Sequence, residues 1–78
     1  MAVTIIKKRV EATIENGVWT SADHGLLDYV RTIGRSCPRM PDWDQDEFQA
    51  LWVSNRIGGA VIPKSMPPPP VSPPRPAG

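Results

Sequence analysis

Apolar and polar positions alternate imperfectly from Ala2 to Glu15, and threonine and β-branched residues dominate the stretch. Such a composition predicts a strand over about 2–15. Val10, Ala12 and Ile14 fall on one face with Ile6, while Val3 and Ile5 point the other way and Lys8 interrupts the pattern. Either both faces are partly covered near the start, or a bulge between Ile5 and Lys8 shifts the register. Asn16-Gly17 follows, between strand-like residues. A type I′ turn needs positive φ at both central positions, which these two residues supply. A hairpin closed there sets Glu15 opposite Val18 and Ile14 opposite Trp19, with a short return strand over about 18–20.

From Thr20 the period changes. Thr20 and Asp23 have the spacing of a capping box, and Ala22, Leu26, Val30 and Ile33 recur at helical steps. An amphipathic helix over about 21–33 is predicted, with Gly34 placed to end it. Pro38 and Pro41 then hold the chain in a loop. Asp44 and Glu47 repeat the capping spacing and open a second amphipathic helix over about 45–57, stopped by Gly58 and Gly59. On that helix Phe48, Leu51 and Trp52 share one side, while Ala50, Val53 and Ile57 lie roughly opposite. The larger set is expected in the core with Val10, Ile14, Trp19, Leu26 and Val30. The smaller set is left as a second apolar strip. Ala60-Val61-Ile62 reads as a short third strand over 60–62, stopped by Pro63.

The fold class is therefore a small α+β domain over 1–62, a β-hairpin packed by two helices, followed by a proline-rich tail over 63–78. Eight of the ten prolines fall in that tail. Pro67, Pro68, Pro69 and Pro70, then Pro73, Pro74 and Arg75, favour polyproline II, an extended form that holds its shape without internal hydrogen bonds. Pro70-x-x-Pro73-x-Arg75 has the spacing of one SH3-ligand pattern.

Composition narrows the function classes. The chain has 78 residues, one cysteine, one histidine and a formal charge of +1. A core built from so few residues supplies little stability, and Cys37 has no cysteine to pair with. One cysteine and one histidine do not make a structural zinc set, so no metal and no cofactor are expected. Asp42, Asp44 and Asp46 open like a calcium loop. That motif requires glycine at its sixth position and glutamate at its twelfth, where this chain has Glu47 and Val53. Capping explains the acids better. His24 and Asp28 are four apart on one helix, a spacing that serves surface electrostatics as readily as catalysis. Together these observations speak against an enzyme. No leader-like apolar segment and no run of about 20 apolar residues is visible. The expected location is cytoplasmic, or within an intracellularly assembled particle, and no membrane partner is expected.

The expected function is a small non-enzymatic adaptor or structural protein that docks on a larger protein or multi-protein assembly. The proline-rich residues named above would carry part of that contact, with Trp43, Val53 and Ile57. Self-association through the hairpin edge is a further expectation, and a viral origin would suit a particle component. One alternative is a nucleic-acid accessory protein using Lys7, Lys8 and Arg9 with Arg35 and Arg39. The acids at the start of the second helix speak against it, since they would meet phosphate unfavourably. The other alternative is an inhibitor of a larger machine.

Overall fold

A computed structural model describes residues 2–63. Four strands and two helices follow in the order β1 (Ala2–Lys7), β2 (Val10–Glu15), β3 (Val18–Ser21), α1 (His24–Arg35), α2 (Gln45–Ile57) and β4 (Ala60–Pro63). The sheet is antiparallel throughout, with strand order β3-β2-β1-β4. The small α+β class and both helices are as expected. The tail, with Pro67, Pro68, Pro69, Pro70, Pro73, Pro74 and Arg75, lies outside the described residues.

The long strand expected over 2–15 is two strands. Lys8 takes φ 59°, and the chain reverses at Lys8-Arg9 to pair Lys7 with Val10. This reversal resolves the broken alternation without a bulge. Val3 lies opposite Ile14 and Ile5 opposite Ala12, so all four point to one face. Ile6, opposite Glu11, belongs to the other. The Asn16-Gly17 turn forms as the sequence predicts, with both residues at positive φ, and sets Ile14 against Trp19.

Helix α1 starts later than expected. Asp23, rather than Thr20, is its cap, and its carboxylate accepts from the Leu26 amide at 2.9 Å. Ser21 in turn accepts from the Asp23 amide at 3.0 Å. Thr20 stays in β3 because its backbone is still paired with Thr13. The helix also runs past Gly34 to Arg35, ending at Ser36. Helix α2 keeps its expected bounds: the Asp44 carboxylate accepts from the Asp46 and Glu47 amides, and Gly58 closes it at φ 73°.

Both helices pack on the face carrying Val3, Ile5, Ala12, Ile14 and Trp19. Leu27 and Val30 from α1, and Ala50, Val53 and Ile57 from α2, complete the core. Helix α2 is therefore rotated about half a turn from the expected orientation. Leu51 is 39% exposed, Phe48 and Trp52 are half-buried, and Val53 and Ile57 are core residues. Val10 and Leu26, expected inside, are half-buried. Close approach of a helix to a sheet selects small side chains, and Ala50 and Ser54 occupy the contact line. The buried Ser54 hydroxyl donates to the Gly59 carbonyl, and the Gly59 amide returns a bond to the Ser54 carbonyl. That exchange ties the end of α2 to the start of β4.

Among the described residues, no helix packs on the opposite face of the sheet. Thr4 is buried there, sharing a hydroxyl hydrogen bond of 3.1 Å with Thr13 and flanked in register by Ile62. Val18 and Ile62 remain exposed at the two edges.

Candidate functional site

The rotation of α2 places an apolar strip on the outside of the molecule. Phe48, Leu51 and Trp52 follow at helical spacing, and Trp43 precedes them in the loop. Trp43, 51% exposed, meets Phe48 edge-on with ring centroids 5.8 Å apart. The Arg56 guanidinium sits 4.8 Å from the centre of the Trp52 ring. Met40, also exposed, lies in the same loop as Trp43. Around the start of this strip stand Asp42, Asp44, Asp46 and Glu47. Asp44 is engaged with two backbone amides as the cap, which leaves the others to set a negative rim.

Of the residues expected to bind a partner, Trp43 is on this surface. Val53 and Ile57 are not, because burial leaves them no area to offer. Phe48, Leu51 and Trp52 lie on the outer side of the helix instead. The sequence pattern marks them as an apolar strip but predicts them inside, since size and hydrophobicity alone favour burying the larger rings.

The basic residues divide into separate groups. Lys8 and Arg9 form the exposed β1–β2 turn, and the Lys7 ammonium lies 5.9 Å from the centre of the Tyr29 ring. Arg31 and Arg35 line a pocket with Gly17, at the opposite end of β2. Six residues of strand put about 20 Å between those ends. Arg39 is exposed in the loop between the helices. Lys7, Lys8 and Arg9 therefore do not converge with Arg35.

Among the described residues, a larger and a smaller concavity adjoin the sheet. The larger, about 890 Å³, lies beside β2, β3 and the start of α1, and its charged lining is mixed: Arg9 with Glu11, Asp23 and His24. The smaller, about 290 Å³, is lined by Gly17, Val18, Trp19, Arg31, Arg35 and Gln49. Trp19 is only 4% exposed, and its indole Nε1–H has no acceptor among the described residues. Leaving a buried donor unmatched costs about 1–3 kcal/mol. The sequence carries no signal for this pocket. The indole could not be placed beside Arg31 and Arg35 without the tertiary fold.

Cys37 is half-buried, and its thiol faces the Pro38 carbonyl at 3.4 Å. Burial pushes its pKa above the ordinary thiol value, which lowers the thiolate fraction that a nucleophile needs. His24 is exposed at the first position of α1. No helix among the described residues is long and apolar enough to cross a membrane.

Comparison with known protein families, with curated proteins and with solved structures gives no match to this chain.

Proposed function

We propose that this chain is a small protein-binding module that docks on a larger protein or assembly through the outer side of α2. The observation that carries this reading is the second apolar strip of that helix. Trp43, Phe48 and Leu51 are not members of the buried core, and half-buried Trp52 packs against that core while keeping part of its surface exposed. Aromatic side chains are enriched where protein surfaces meet, because they bury large areas at low entropic cost. The rim of Asp42, Asp46 and Glu47 supports a partner with an apolar centre and basic flanks, since opposite charge speeds and orients encounter. The proline-rich sequence after β4 offers a second recognition element. Polyproline segments bind aromatic-lined grooves with little ordering cost. The reading is of a non-enzymatic adaptor or structural component, and the depressed reactivity expected of Cys37 accords with that.

The test compares full-length chains as bait in native extract. One carries Trp43→Ser with Leu51→Glu, one carries Lys8→Glu, and one has Pro67, Pro68, Pro69 and Pro70 replaced by serine. A partner retained by the wild type and Lys8→Glu but lost by the α2 variant supports docking through α2. Loss with the serine variant as well assigns the tail its share. Identical partner sets for the wild type and the α2 variant would sink the proposal.

A further inference from the structure

Strands β3 and β4 are the two edges of the sheet, and they are guarded differently. Asn16-Gly17 is a two-residue turn, so Glu15 and Val18 exchange the first pair of backbone hydrogen bonds, and Thr13 and Thr20 the next. The backbone N–H and C=O of Trp19 and Ser21 therefore point away from the sheet. Neither residue's backbone bonds elsewhere among the described residues. Proteins blunt such an edge with proline, charge or a bulge. Strand β4 ends in Pro63, which has no N–H to offer. Val18-Trp19-Thr20-Ser21 carries none of these devices.

We propose that two copies of this chain join through β3 into one continuous sheet, antiparallel about a two-fold axis at Thr20. That axis sets Trp19 of each copy opposite Ser21 of the other, so every outward N–H and C=O of both residues finds a partner. The surfaces around the edge are self-complementary in this register. On the open face Thr4, Thr13 and Thr20 stand in one row across the strands. The axis extends that row with Thr20 beside Thr20, a pairing without charge. Val18 meets Ala22, both exposed and apolar. On the other face α1 packs against β3 and β2. With strands about 4.8 Å apart, the two copies of α1 lie roughly 10 Å apart, an ordinary distance for packed helices. The flank of α1 beside β3 is charged. Arg31 borders a concavity with Val18 and Trp19, His24 borders one with Thr20 and Ser21, and Asp28 falls between them on the same flank. All three are exposed. The axis makes the two α1 helices antiparallel, which brings the acid of each flank against the bases of the other. A second copy thus answers the backbone, the threonine row and the helix charges together. Four residues make a short edge, and α1 supplies the rest of the contact. This inference is independent of the docking surface on α2.

Sedimentation equilibrium of the full chain over a range of concentrations tests the association, and a monomer–dimer equilibrium is expected. Thr20→Glu, at an exposed position, sets two like charges side by side on the axis and should raise the dissociation constant about fivefold or more. Leu51→Glu, on the outer side of α2, should leave it unchanged. Cysteine cross-linking in a Cys37→Ser background reads the register. With Thr20→Cys the two cysteines stand opposite each other with Cα atoms about 4.5 Å apart, within reach of a disulfide. The two copies of Val18 lie about 14 Å apart in this register, so Val18→Cys should stay unlinked under the same mild oxidation. A chain that is monomeric at every concentration overturns the proposal. So does a dimer that Leu51→Glu dissociates, which would place the contact on α2, or a Val18→Cys variant that links as readily as Thr20→Cys.

Discussion

Gln49 of α2 donates its side-chain amide to the Gly34 carbonyl of α1 at 2.8 Å, across the line where the two helices meet. Gly34 is buried there because a side chain would enter the space that Gln49 and Trp19 border. Gly34→Ala gains about 1 kcal/mol of helix propensity but must push Gln49 off its carbonyl. Overpacking a tight site costs about 1–3 kcal/mol, so the net effect is a loss of order 1 kcal/mol. In a Gln49→Ala background the same change should be close to neutral. A double-mutant cycle by urea unfolding measures the difference, and an equal loss in both backgrounds would contradict the contact.

Gly59 is crowded in a less forgiving way. A Cβ there would stand 2.8 Å from the Ile6 carbonyl oxygen and 3.2 Å from Ile5 Cγ2. The obstacle is backbone in the neighbouring strand, which cannot rotate aside. Gly59→Ala should cost about 1–3 kcal/mol and weaken amide-exchange protection in β4 before that in β2.

The two sides of α2 should respond differently to truncation. Ile57, 7% exposed, sits in the core, and Ile57→Ala should cost about 2–4 kcal/mol. Leu51→Ala should stay within about 0.5 kcal/mol of wild type. Equal losses in thermal unfolding would restore the opposite orientation of the helix.

The Cys37 thiol should alkylate with a pH midpoint above that of the unfolded chain in urea, because burial raises its pKa in the folded state. The sign for stability follows. Below the unfolded thiol's pKa both states hold the proton and its contribution is full. As pH rises through the folded value, the unfolded state has released its proton first and stability falls. Cys37→Ser should flatten that alkaline decline, which unfolding at a series of pH values would show.

Much of this fold was legible where a residue has a single local use. Asn16-Gly17 admits few conformations other than the turn it makes, and Asp44 before Gln45 is a cap by chemistry. Lys8-Arg9 carried no such mark: neither residue is a habitual turn former, and the reversal is imposed by pairing Val3 with Ile14 and Ile5 with Ala12. Helix α2 was ambiguous because both of its sides are apolar. Periodicity located the strips but could not tell which one faced the sheet. That choice depends on how closely the backbones approach, which favours Ala50 and Ser54 over Phe48 and Leu51. The pocket at Trp19 was hidden for a related reason, since the sequence separates its arginines from its indole by more than ten residues.

Strand β4 joins the sheet beside β1, with Pro63 opposite Val3. The last of the described strands thus completes the pairing of the first. On a ribosome, β1 and β2 can close their own hairpin early, yet β1 keeps an open edge until residue 63 has cleared the exit tunnel. The rate of reaching the native state should then be set by this long loop closure rather than by the local turns. During that interval the open edge of a strand rich in valine and isoleucine is exposed to other nascent chains, so crowding of polysomes, more than the stability of the finished domain, should govern how much of this protein aggregates.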